Sequence, residues 1–193
     1  CSERGVELPP RLAGRLATRG LIREADTGFE FAHGLLVESL CEHAKANERL
    51  REHHRACARA LHSIGEESGR STERREAEHW AKAEDYERAV ELARDAANVA
   101  RMRGEMGTLH SIVAERGKWI DLAGFPQTHP TRLRNMLGLA GQLCRTNPDD
   151  SRSLALEVLA HAEDVDTKAT ALDVLVRIAD LAGSFEEAVD LAR

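Results

Sequence analysis

The stretch from Trp80 to Ala96 restricts the fold more than any other part of the chain. It reads Trp-Ala-Lys-Ala-Glu-Asp-Tyr-Glu-Arg-Ala-Val-Glu-Leu-Ala-Arg-Asp-Ala. Ala77 and Trp80 on one side of Glu84-Asp85, and Tyr86, Ala89, Ala93 and Ala96 on the other, fall at helical spacing. Alanines at such positions let two helices approach closely, and an aromatic ring fills the space left beside a small residue. The spacing therefore predicts two helices joined by a tight turn at Glu84-Asp85. The pattern returns in Gly183-Ser-Phe-Glu-Glu-Ala-Val-Asp-Leu-Ala-Arg193, which matches Glu84–Arg94 at the aromatic, the following acid, Ala-Val and Leu-Ala-Arg. The blocks begin 183 − 84 = 99 residues apart, about three repeat lengths of roughly 33 residues. Asp149 falls 34 residues before Gly183, at the corresponding turn.

With Ala77 at the helix crossing, Trp80 as the filler, Tyr86 opening the second helix and Ala89 and Ala96 at the close approaches, the stretch resembles a tetratricopeptide repeat. It departs from that pattern where Glu73 and Glu76 stand in place of the first-turn Trp and Leu, and where Ala93 replaces a bulky aromatic. The resemblance implies an all-α array of helical hairpins, an α-solenoid, over residues 35–193.

The bulk composition fits that architecture. Of 193 residues, 42% are hydrophobic, 31% charged and only 4% aromatic, so helix packing through small side chains is favoured over a β-sandwich core. The net charge of −6 comes from interspersed Arg and Glu, the pattern of solvated helix faces rather than of a nucleic-acid surface. The four cysteines, Cys1, Cys41, Cys57 and Cys144, form no CxxC pair, which predicts idle thiols in a reducing compartment. No apolar run approaches the ~20 residues of a membrane helix, and no secretory signal opens the chain. A cytoplasmic fragment of a longer protein is the expectation.

Residues 1–34 have a different character. Leu8-Pro9-Pro10 leads into a short helix carrying Leu12 and Leu16 and stopping at Gly20. Leu21-Ile22-Arg23, the turn residues Asp26-Thr27-Gly28 and Phe29-Glu30-Phe31 predict a hairpin, with Phe29 and Phe31 on a half-buried face. Beyond it, Leu35, Leu36, Leu40 and Ala44 predict one helix, and Leu50, His53 or His54, Cys57, Leu61 and Ile64 a second. The short link at Asn47 makes the two an antiparallel pair. Further helices are expected over residues 104–119, 131–145 and 151–163, with Asp166 capping a last one that buries Ala171, Leu172, Leu175, Ile178 and Ala179. Gly124 to Pro130, with two prolines, is a break.

The run Gly20-Leu-Ile-Arg, then Phe29-Glu-Phe-Ala-His33-Gly-Leu-Leu-Val-Glu38-Ser-Leu, then Arg55 and Leu61-His62, is similar to the segment that follows the ATPase core in STAND-type signalling ATPases. These include large ATP-dependent LuxR-type activators and bacterial serine/threonine kinases fused to an ATPase and repeats. The resemblance implies that residues 1–34 are the C-terminal part of a winged-helix module and that the repeats follow it. It also implies a regulatory or sensor segment, binding a protein partner or a small effector and controlling an upstream ATPase or kinase. The chain has no GxxxxGK[ST]; Gly117-Lys118-Trp119 lacks both the upstream Gly and the Ser or Thr. Nucleotide binding is therefore assigned to no residue here.

Candidate sites are few. The metal ligands weighed are Cys41, His43, His53 and Cys57, which could meet across one helical pair but have no zinc-site spacing; no metal or other cofactor is expected. Acidic pairs at Glu66-Glu67, Asp149-Asp150 and Glu186-Glu187 are placed at turns or helix starts, where they favour helix N-termini or solvent. With no GxSxG elbow either, no catalytic residue is assigned and the chain is not expected to be an enzyme. Trp119, after Gly117-Lys118 and near the break, is the one candidate partner-binding residue. Arg11, Arg15 and Arg19 would carry a winged-helix contact to DNA, an alternative to packing against the parent protein's own ATPase or kinase domain. A structural spacer or self-association platform is a further alternative for the array.

Overall fold

The computed structural model describes residues 11–25, 28–69, 71–184, 186, 189 and 190. The described residues are mostly helical and include a small N-terminal two-stranded hairpin. It divides between Glu84 and Asp85 into two compact units.

In the first unit, helix α1 (Leu12–Thr18) is followed by strands β1 (Ile22–Ala25) and β2 (Gly28–Phe31). The strands are antiparallel with Ile22 opposite Phe31 and Arg23 opposite Glu30. The Arg23 Nε donates to Glu30 Oε1 at 2.5 Å, an exposed cross-strand pair. The half-buried face expected for Phe29 and Phe31 is not found: among the described residues no element covers it, and they are 57% and 45% exposed. The Leu8-Pro9-Pro10 lead and the Asp26-Thr27 turn lie outside the described residues.

Helices α2 (Gly34–Ala46) and α3 (Leu50–Ser68) form where their periodicity predicts, but the expected pairing is corrected. α3 packs chiefly on α4 (Glu73–Lys82) and meets α2 only slightly. Leu35 and Leu40 are accordingly exposed, and α2 buries only Ala44. On α3 the covered residues are Ala58 and Leu61, whereas Cys57 and Ile64 face solvent. The small side chain of Ala58, fully buried, sets the close approach. Ala77, Trp80 and Ala81 of α4 are buried as their spacing implies. The Trp80 indole N–H finds an acceptor in Glu76 Oε1 at 3.2 Å, which satisfies a donor that burial would otherwise strand.

The turn at Glu84-Asp85 is present. α4 stops at Lys82, Glu84 takes a left-handed φ of 61°, and α5 starts at Tyr86. That conformation is uncommon for a side chain other than Gly or Asn, and Glu84 is tied down by an ion pair to Arg51 at 2.5 Å.

The second unit contains α5 (Tyr86–Met102), α6 (Met106–Leu122), α7 (Pro130–Leu143), α8 (Pro148–His161) and α9 (Val165–Leu181). α5 packs on α6, α6 on α7, α7 on α8 and α8 on α9, with α9 also touching α7. Ala89, Ala93, Ala96, Ala97 and Ala100 make α5 an almost entirely alanine-faced helix, and all are buried. α6 runs unbroken from Met106 to Leu122, so Trp119 and Ile120 lie in its last turn. Two core clusters hold the C-terminal helices: Ala140, Cys144, Ala155, Val174, Leu175 and Ile178, and Leu133, Leu137, Val158, Ala162 and Ala171. Ser151, fully buried, donates its hydroxyl to the Ala140 carbonyl at 2.7 Å and so fastens α8 to α7.

Two N-terminal details differ from expectation. Asp164, not Asp166, caps α9: its backbone is extended and its carboxylate accepts from the Thr167 amide at 2.8 Å. Asp166 lies in the first turn. Asn147 caps α8, which starts at Pro148 and not at residue 151, so Asp149-Asp150 lie in its first turn. Glu66-Glu67, by contrast, belong to the last turn of α3. Much of the Gly183–Arg193 echo, including Phe185 and Ala188, lies outside the described residues.

Candidate functional site

A groove of about 510 Å³ opens in the second unit, lined by α5, α6, α7 and α9. Its floor is apolar: Leu109 and Val113 of α6, Leu137 of α7 and Val174 of α9 are all buried. Its rim is polar, with Arg101, Arg134 and Arg177 from three helices set against Asp164 and Asp166. The space exists because α7 presents glycines to it. Arg134, Gly138 and Gly141 recur at helical spacing along one face. A Cβ at Gly138 would only touch Val113 at 3.9 Å, and one at Gly141 would meet nothing within 4 Å. Each glycine inside a helix costs about 1 kcal/mol relative to Ala, so packing alone gives no reason for two of them here.

The rim charges are unequally engaged. Arg177 pairs with Asp173 on its own helix. Arg101 donates to the neutral Asn98 side chain at 3.0 Å. Among the described residues, neither Arg101 nor Arg134 has a carboxylate within ion-pair reach. Asp164 is held below the usual carboxylate range by hydrogen bonds from the Thr167 side chain and amide, with Arg134 adding a smaller attraction. At the groove's edge His110 Nδ1 meets Gln142 Oε1 at 2.8 Å, joining α6 to α7.

Behind the floor lies a buried polar network. Arg116 is 8% exposed. Its Nε donates to the Val90 carbonyl at 3.0 Å and its Nη1 to Asn135 Oδ1 at 3.3 Å. Asn135 in turn donates to the Val113 carbonyl at 3.3 Å. Burial pushes the Arg116 guanidinium down to about 10; Arg94 and Arg134 add repulsion that Asp95 partly offsets. The network ties α5, α6 and α7 together and so fixes the helices that form the groove.

Trp119 is half-buried near the end of α6 and does not line the groove. Arg11, Arg15 and Arg19 are exposed on and beside α1 and border a shallow depression of about 350 Å³. The structure does not bring Cys41, His43, His53 and Cys57 together: among the described residues no three or more His, Cys, Asp or Glu side chains converge as metal ligands. Cys1 lies outside the described residues. Instead, in the first unit, His54 Nδ1 stands 3.0 Å from His79 Nδ1 across α3 and α4. No described helix is long and apolar enough to cross a membrane. The groove itself went unread in the sequence. Its signal is Gly138-Leu-Ala-Gly141 in the middle of a strongly periodic helix, with Arg134 one turn before.

No family model matches this chain, and neither does any curated protein or solved structure.

Proposed function

We propose that this chain is a non-catalytic binding segment of a signalling protein, and that the groove of α5, α6, α7 and α9 takes an extended acidic and apolar segment of a partner protein. The single observation behind this reading is the groove itself: an apolar floor opened by Gly138 and Gly141, with Arg101 and Arg134 on its rim. Apolar side chains of the partner would cover Leu109, Val113 and Val174, and an acidic residue would meet Arg134 and Arg101. Control of an upstream ATPase or kinase rests on the resemblance of the Phe29–Leu40 run to STAND-type ATPases. The tetratricopeptide-like reading of the helices rests on the buried positions of Ala77, Trp80, Ala89 and Ala96.

The test is fluorescence-polarisation binding of a library of short peptides that combine acidic and apolar residues. Peptides of this class should bind with salt-sensitive affinity. Arg134→Gln should weaken them about tenfold, the worth of one charge-assisted contact. Gly141→Leu, whose Cβ meets nothing within 4 Å and whose side chain occupies the groove, should abolish binding. A library with no salt-sensitive binder, or binding indifferent to Gly141→Leu, refutes the assignment.

A further inference from the structure

The face between α3 and α4 holds an unusual contact. His54 and His79 approach through like atoms, Nδ1 to Nδ1, at 3.0 Å, with ring centroids 5.2 Å apart and planes tilted by 42°. Such a contact is a hydrogen bond only if one Nδ1 carries a proton and the other does not. A neutral pair meets that condition when the two rings adopt opposite tautomers. A pair with one added proton also meets it, as a charge-assisted bond. A pair with two added protons does not, because both Nδ1 atoms are then donors and both rings are cations.

We propose that the His54–His79 contact is an acid-sensitive latch between α3 and α4, closed while the two Nδ1 atoms share one proton and opened when each holds its own.

The surroundings favour this behaviour. Partial burial holds both imidazoles below the ordinary histidine value of 6.5, and Lys82 pushes each in the same direction. His53 adds to this at His54. At His79, His54 and Arg75 add to it, and Glu78 alone opposes. α2, the other helix packed on α3, contributes no charge acting on the pair. The sign follows. The unfolded chain takes up protons near 6.5, while the folded pair resists them until the solution is more acidic. The latch is therefore fully effective above that value, survives the first added proton, and opens only when the solution is acidic enough for the second to enter.

Further along the same interface, His62 Nδ1 lies 3.4 Å from Glu76 Oε2 and its Nε2 3.5 Å from Glu66 Oε1. Glu76 is also the acceptor for Trp80. Release at the His54 end leaves the Glu76 contacts to His62 and Trp80 at the other end of the α3–α4 face in place, which makes the opening a pivot rather than a separation.

The experiment is a titration of the full chain from about pH 7.5 to about pH 5, combining imidazole ¹⁵N NMR with amide hydrogen exchange. At neutral pH one of the two rings should show a protonated Nδ1 and the other an unprotonated one. On acidification, amides at the C-terminal end of α4 should exchange about tenfold faster after correction for intrinsic rates, while those beside Glu76 change little. His54→Gln and His79→Gln should remove the pH dependence. Two rings that both carry their neutral proton on Nε2 would overturn the proposal, and so would α4 exchange that is equal at both pH values. A pH response abolished by chelator would also overturn it, since the pair would then be holding a metal ion and not a proton. If a variant does not fold, the wild-type NMR and exchange measurements decide the matter alone.

Discussion

The sharpest stability prediction concerns Asn135. Its Oδ1 is one of two acceptors for the buried Arg116 guanidinium, and its Nδ2 bonds the Val113 carbonyl. The lowering of the Arg116 guanidinium to about 10 corresponds to about 3 kcal/mol already spent on holding the charge in place. Asn135→Leu keeps the volume but withdraws the side-chain acceptor. The guanidinium then keeps only the Val90 carbonyl, and the loss of a hydrogen bond to a charged group costs about 1.5–3 kcal/mol. A poorer fit of Leu against the α6 backbone adds to this, because Gly117 leaves Asn135 only a narrow space; a Cβ there would stand 3.3 Å from Asn135 Nδ2. The expected total is about 3 kcal/mol. Arg116→Met, by contrast, removes the buried charge together with its desolvation cost and leaves Asn135 Oδ1 unpaired, for a net loss of about 1 kcal/mol. The double variant removes both halves of the network and should lie within about 1 kcal/mol of wild type. The assay is urea unfolding of the four proteins, each carrying Trp80→Phe so that Trp119 in α6 reports alone. The coupling energy should be at least about 3 kcal/mol, with the double variant more stable than the Asn135→Leu single. Additive losses, or an Asn135→Leu loss below about 1 kcal/mol, would mean that Arg116 is solvated by other means and that the network does not fix the groove helices.

Trp80→Ala should destabilise the first unit by about 3–5 kcal/mol, since a large buried side chain is replaced by a cavity; an urea-unfolding loss below about 1 kcal/mol would show that Trp80 is not a core filler. The Asp164 cap should be present at neutral pH and fail as acid titrates the carboxylate. Its folded value lies below the ordinary 3.8, so the contribution is complete above that value and disappears as pH falls through the lower one. Carboxyl ¹³C NMR should find Asp164 titrating below the free-aspartate range and returning toward it in Thr167→Val if the hydroxyl bond is the main cause; no difference between the two proteins would reject that cause.

Helix positions were legible wherever apolar and small residues recur at helical spacing, and the turn at Glu84-Asp85 was legible because the two periodic runs go out of phase there. Helix partners were not. Periodicity says which residues share a face, but not which neighbour covers it. Leu35, Leu36, Leu40 and Ala44 make as good a stripe as any in the chain, yet only Ala44 is buried. The cover went instead to Ala58 and Leu61, on the face of α3 that α4 occupies. The Asp164 cap was missed for a similar reason. Both Asp164 and Asp166 suit a cap by residue type, and the choice depends on which backbone is extended, a property set by the chain leaving α8 at Ala162.

Helix α7 shows why the groove was harder to read than the core. Leu133, Leu137, Ala140 and Cys144 form the buried stripe, and an apolar pattern picks them out directly. Arg134, Gly138 and Gly141 form a second stripe, displaced by about one residue, or roughly 100° around the helix. Nothing in that stripe is apolar and large, so a search for core positions passes over it. The glycines weaken the helix and fill no space, and the arginine beside them has no carboxylate in reach among the described residues. A site made by withholding side chains leaves a sequence signal only as an unfavourable choice: two glycines three residues apart where alanine would be more stable and, by the space around them, would fit. By that argument Gly138→Ala and Gly141→Ala should leave the fold intact and stabilise α7, so that any loss they cause in peptide binding measures the groove and not the helix that lines it.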